Sequence, residues 1–270
     1  LAQRLYNLAE WWHLLSLDAP TVAALWSWFF VRAMHLHLSL IQAFLLPLGT
    51  WLLYVADRIL DGFRAQHQEQ LRERHYFHAR HRTAFLSAAS FLAVLLGWFV
   101  LTRMHPEALR DDSWIGAFAL LYLLAVHLGA RRLPKELAVA ILFAAATAVP
   151  AWSRLSAGKA QLMPAVVFFA LLCWINCAGI EKWEGGKPHA STRWASLHLR
   201  PIVTMIALFS LAAALLAPSR GLMAVYLAAL LSSGLLFVLD TRSSRLSPLH
   251  LRIAADAALL TPLALFPFAR

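Results

Sequence analysis

Charge is scarce in this chain, and acids are scarcer than bases. Of its 270 residues only 14% are Asp, Glu, Lys or Arg, and 14 carboxylates face 24 basic side chains. A soluble globular domain carries about 25% charged residues, so that class is excluded. Cysteine is nearly absent too. Cys173 and Cys177 lie one turn apart within one apolar run, which excludes a disulfide framework and suits small buried thiols. Neither a Walker pattern nor a dinucleotide-binding glycine pattern occurs, and no low-complexity linker divides the chain.

Apolar sequence takes up the space. Hydrophobic residues make up 60% of the chain and mean hydropathy is +0.62. A hydrocarbon core about 30 Å thick needs roughly 20 helical residues per crossing. Stretches of about that length lie at 18–33, 36–60, 84–102, 114–129, 137–153, 162–180, 201–217, 221–239 and 251–268. They predict an all-α, polytopic membrane protein of nine transmembrane helices in a single membrane domain, 1–270. Residues 1–17, with Trp11, Trp12 and His13, read as an amphipathic lead-in on the membrane surface, because the basic start and small-residue cleavage site of a signal peptide are missing. Eleven tryptophans, many near predicted helix ends, suit interfacial belts.

The formal charge of +10 invites a nucleic-acid partner, but topology accounts for it. With nine crossings, 17 of the 24 basic residues fall on the side of residue 1 and 7 on the other. The positive-inside tendency then places the first residue in the cytoplasm and the last outside a bacterial-type inner membrane. No nucleic acid is expected as a partner.

Polar chemistry concentrates on that basic side. The second predicted span ends in ADRILDGFR, where Asp57 and Asp61 share one helical face, and it is followed by a cytoplasmic capping loop at 61–82. The sixth ends in GIEKWEGGK, with Glu181 and Glu184, and is followed by a second capping loop at 181–200. Two interpretations of Asp57 stand side by side. It could pair with Arg58 or Arg64 and end a helix at the interface. Alternatively, carboxylates from two helix ends could converge on Mg²⁺, which prefers oxygen ligands, with phosphate oxygens and water completing its shell. Nearby Arg and Lys would grip those phosphates. An apolar tail on the diphosphate would then run into the membrane, and metal-assisted neutralisation of the departing pyrophosphate would break an allylic carbon–oxygen bond.

ADRILDGFR resembles the first aspartate motif of the UbiA superfamily of intramembrane prenyltransferases. SLDAPTVAALW at 16–26 is similar to that family's first-helix opening, and VHLGARRLPKELAVAILFAAATAVP resembles its segment joining helices 4 and 5. The resemblance implies a helical bundle around a lipid-open cavity, capped by polar loops over a Mg²⁺–diphosphate site. Asp57, Asp61 and Glu184 would act in catalysis, with Glu181 completing the metal set. Arg64, Arg131, Arg132, Lys135, Lys182 and Lys187 would bind a prenyl diphosphate, whose prenyl group passes to a hydrophobic acceptor among the membrane lipids. The departures are specific. Leu53 stands where the family has Asn, and Gly179, Lys182 and Gly186 stand where acids are expected. Lys182 could replace part of a metal's charge and leave a one-metal site, or the site could be degenerate. A terpene cyclase and a non-catalytic lipid-binding scaffold on the same fold are the alternatives.

Three further features complete the expectations. His75, His78 and His81 recur every third residue, and with Arg72, Arg74, Arg80 and Arg82 they read as a basic amphipathic cap that meets lipid phosphates or substrate, in preference to a metal site. Asp256, deep in the last span, is expected to pair with Arg252 one turn earlier. Asp18, just before Pro20, fits a helix start.

Overall fold

The structure is a computed structural model that describes residues 2–64, 73–104, 106–127, 134–185 and 190–268. Among the described residues every regular element is helical. Among the same residues six helices are long and apolar enough to cross a membrane, or up to eight if each of two sharply bent helix pairs counts as one span. The protein is therefore a polytopic, all-helical integral membrane protein.

The chain divides into two compact units. Unit 1 comprises residues 1–24 and 39–105, and unit 2 comprises 25–38 and 106–270. Unit 1 begins with α1 (Ala2–Leu14), which meets α2 (Asp18–Ala33) at a 91° bend. Ser16 takes the left-handed backbone at that corner, with φ 58°. Next come α3 (Leu40–Arg64), α4 (Glu73–Arg80) and α5 (Arg82–Arg103). Helix α3 packs on α4 and α5, and α4 touches α1. Pro47 lies inside α3 without ending it, as membrane helices tolerate.

Unit 2 takes the remainder of α2, then α6 (Pro106–His127), α7 (Lys135–Trp152), α8 (Lys159–Glu184), α9 (Ala190–Leu197), α10 (Leu199–Leu215), α11 (Arg220–Thr241), α12 (Pro248–Ala257) and α13 (Pro262–Leu265). Its core follows helical periodicity. On α8, Leu162, Ala165, Phe169, Leu172, Cys173 and Asn176 are buried at spacings of three and four, one stripe of a helix. Small residues let the neighbours approach: Ala140, Ala144, Ala148 and Ala151 line the buried stripe of α7, and Ala224, Ala228 and Ser232 that of α11. Gly221 lets α11 approach closely, since an added Cβ there would lie 2.4 Å from the Ala33 carbonyl oxygen.

Several expected spans differ from the observed helices. Helix α6 is as long as α5, but Glu107, Arg110, Asp111 and Asp112 crowd its start, and it is not among the six. The seventh span is preceded by α9, which meets α10 at 80°. The first, α2, is not among the six and passes only together with the end of α1 across their 91° bend. The last expected span is one of the six, Pro248–Phe268, with a break in its α-helical bonding between α12 and α13, where Pro262 supplies no backbone N–H. Side chains satisfy that break: the Trp26 indole donates to the Leu259 carbonyl at 2.7 Å. The Thr261 hydroxyl donates to the Ala228 carbonyl at 2.8 Å and so accepts from Ser232 at 2.7 Å.

Candidate functional site

Two helix ends carry the acids singled out by sequence, one in each unit. In unit 1, α3 continues past its apolar body, so Asp57 and Asp61 are separated by one helical turn. Asp57 is half-buried, and among the described residues no hydrogen bond or ion pair reaches its carboxylate. The side chains of Asp61 and Arg64 lie outside the described residues. Arg58 is buried and turned elsewhere: its guanidinium lies 5.7 Å from the Tyr54 ring centroid, and its charge acts on the carboxylate of Asp18.

Asp18 anchors a buried polar corner in unit 1 that sequence reasoning did not anticipate. It starts α2, as expected, and one carboxylate oxygen accepts from the Ala19 N–H at 2.9 Å. The other oxygen meets His13 Nδ1 at 2.9 Å. Beside it, the Ser16 hydroxyl lies 3.3 Å from His78 Nε2, and the Trp51 indole donates to the Leu15 carbonyl at 3.0 Å. His78 is wholly buried and stacks on Phe85 at 4.1 Å, while His81 is exposed and its Nδ1 bonds the Phe77 carbonyl. One of the two histidines is thus buried and the other exposed. The side chains of Arg72, Arg74 and His75 lie outside the described residues.

In unit 2, α8 ends at Gly185, whose φ of 68° is the left-handed cap that favours glycine. The acids and bases before it are tied into ion pairs. Arg252 Nη1 donates to both Glu184 oxygens, at 3.0 and 3.1 Å. Lys182 donates to Asp240 at 2.8 Å, and Arg200 donates to the other oxygen of Asp240 at 2.8 Å. The Trp183 indole adds a third donor to Asp240 at 3.1 Å. Asp240 is almost wholly buried, and its cations reach it from exposed positions, a geometry that keeps the ammonium and guanidinium partly in water.

This arrangement accounts for two departures from the acidic motif. A Cβ on Gly179 would come within 3.1 Å of the Trp183 ring, so a larger side chain there displaces the indole that bonds Asp240. Lys182, standing where an acid was expected, neutralises Asp240 from 58 residues away. Gly186 and Lys187 lie outside the described residues, as do Arg131 and Arg132.

One turn or more inside the membrane end of α8, Asn176 donates to Asp256 at 3.0 Å, and Arg252 of α12 reaches Glu184. Cys177 lies within electrostatic reach of Asp256, Glu136, Arg252 and Glu181, and Thr192 donates to Glu136 at 2.7 Å. Glu181 and Lys135 are half-buried. Unit 2 thus collects Glu136, Glu181, Glu184 and Asp256 near one helix end, and the sequence had marked the middle two as site residues and Asp256 as an intramembrane charge. Comparison with family models, with curated proteins and with solved structures finds no match to this chain.

Proposed function

We propose that this chain is an intramembrane enzyme of the UbiA type, with nine crossings, that ionises a prenyl diphosphate and passes the prenyl group to a hydrophobic acceptor. The observation that carries the proposal is Asp57: a half-buried carboxylate at the end of an apolar span, with no partner among the described residues while the adjacent Arg58 serves Asp18. An ionisable group in that setting is a functional site by default. Its hard oxygen donors, with those of Asp61 one turn on, suit a single Mg²⁺, which keeps waters and phosphate oxygens in its shell. The bound ion would supply charge neutralisation for the departing pyrophosphate.

The chain's own groups do the rest. Asp57 and Asp61 hold the charge in place, and Arg64, on the same stretch of chain, grips the diphosphate. The apolar span walls exclude water from the allylic carbon. Glu184 and Lys182, already paired with Arg252 and Asp240, brace the end of α8 and leave the metal to the α3 motif.

The test uses the purified full chain in lipid nanodiscs with Mg²⁺ and farnesyl or geranylgeranyl diphosphate, and it follows pyrophosphate release. Asp57→Asn should lower the rate at least about 100-fold, because several kcal/mol of charge stabilisation disappear, with no change in thermal unfolding. An undiminished rate in Asp57→Asn refutes the proposal. One observation favours a second reading, a non-catalytic lipid-binding scaffold: the α8 motif is consumed by ion pairs. Under that reading, a non-hydrolysable prenyl diphosphate binds equally well with and without chelator.

A further inference from the structure

We infer that the junction of α4 and α5 in unit 1 is a docking surface for the head groups of an anionic phospholipid leaflet. Helix α5 is a candidate span of 22 residues, about 33 Å long at 1.5 Å per residue. Its apolar flank stays exposed through Phe91, Val94, Trp98 and Leu101. A helix of that length with that flank crosses the hydrocarbon layer facing lipid, so its first residue, Arg82, stands at the bilayer boundary. Arg80, His81 and Arg82 are all exposed there.

The helix phase separates two jobs. His78 points inward, wholly buried against Phe85, while Ala79 and Arg80 after it turn out. Tyr76 is exposed on α4, and α1, whose Trp11 packs edge-on against Phe77 at 5.7 Å, keeps Trp11 itself exposed. Amphipathic aromatics beside a cluster of bases are the composition of a membrane interface. Charge complementarity names the occupant. No Asp or Glu occurs between Glu73 and Glu107, so the cluster meets no neutralising acid along its own stretch of chain. A basic segment beside a membrane span is drawn to anionic lipid by about 1 kcal/mol per residue, or about fivefold in affinity.

The test is lipid exchange on the full chain in detergent, read by native mass spectrometry, with dioleoyl phosphatidylglycerol and dioleoyl phosphatidylcholine as probes. The protein should retain phosphatidylglycerol preferentially. Replacing both arginines, Arg80→Gln with Arg82→Gln, should reduce that preference about 25-fold and leave phosphatidylcholine retention unchanged. Arg80→Lys with Arg82→Lys should keep it. If the double glutamine variant loses monodispersity, Arg82→Gln alone should show about a fivefold reduction. Equal retention of the two lipids by the unmodified protein overturns the inference, as does an unaltered preference in the glutamine variants. Displacement of phosphatidylglycerol by millimolar inorganic phosphate also overturns it, because a free anion would then be the ligand.

Discussion

Half of the apolar window of α8, and half of that of α11, is buried inside the protein, whereas α3 and α5 bury 11% and 6% of theirs. Mean hydropathy does not distinguish the two groups: α5 reaches 2.2 and α11 2.3. Small residues alone do not decide it either. Helix α5 carries Ser87, Ala88 and Ser90 close together and leaves them exposed, while α11 buries Ala228, Ala229, Ser232 and Ser233. Bonds between helices occur in both units, as where Gln42 of α3 donates to the Arg103 carbonyl at the end of α5, but α8 and α11 also carry ion pairs between helices, of Asp240 with Lys182 and Arg200 and of Glu184 with Arg252. Trp26, Thr261, Asp240 and Arg252 each reach a different helix of that unit, and the described hydroxyl of Thr102 on α5 bonds only within its own helix. Apolar surface has no preference between lipid and protein in a bilayer, so packing and polar contacts choose the helices that form the core.

The comparison breaks first at tryptophan. Trp26 is wholly buried, stacks on Phe169 at 4.4 Å and caps the Leu259 carbonyl, whereas Trp98 on α5 is 66% exposed. Trp26→Ala should cost about 3–5 kcal/mol through the cavity, with the stranded carbonyl adding to it. Trp98→Ala should cost under about 0.5 kcal/mol. Denaturant unfolding in mixed micelles measures both. Comparable losses would mean that unit 1 is as tightly packed as unit 2.

The acid-bearing helix ends sharpen the same contrast. Asp240 is buried with Lys182, Arg200 and Trp183 as its donors, so Lys182→Met combined with Arg200→Met leaves a charge with the indole alone. The double variant should lose about 3 kcal/mol, toward the lower end for a broken buried pair because both cations are partly hydrated. Adding Asp240→Asn should restore most of it. Failure to restore would show that the methionines, rather than the stranded carboxylate, cause the loss. Asp57→Asn, by contrast, should leave stability unchanged.

Sequence reasoning located most of the helices because it asked for length and hydropathy, and both are local. The start at Asp18 and the proximity of Asp57 to Asp61 were legible for the same reason, whereas α8 runs on through Glu184, past the expected span end at 180. Azimuth was not. A helix apolar on nearly every side has no periodic signal to say which flank meets protein, so the inward turn of His78 and the exposure of α5 could not be read. Partners far along the chain were equally hidden. Nothing in GIEKWEGGK announces that Lys182 serves Asp240 or that Glu184 serves Arg252. The buried corner of His13, Ser16, Asp18 and His78 joins residues 62 apart, and its local trace, a histidine five residues before an aspartate, is too common to single out.

The smallest expected effect isolates packing from polarity within unit 2. Gly221 faces the backbone of Ala33 so closely that a Cβ would lie 2.4 Å from its oxygen and 2.7 Å from its Cα. Backbone cannot rotate aside as a side chain does, so Gly221→Ala must push α11 away from α2 and should cost about 1–3 kcal/mol. Gly234, on the same helix, would place a Cβ in open space. Gly234→Ala should be neutral or stabilise by about 0.5–1 kcal/mol, since it removes only the flexibility of glycine in a helix. Unfolding of the two variants under one set of conditions separates helix propensity from helix contact. If both behave alike, the buried half of α11 owes its place to the hydroxyl and carboxylate bonds at Ser232 and Asp240, and close approach at Gly221 is a consequence of that fit, with no part in causing it.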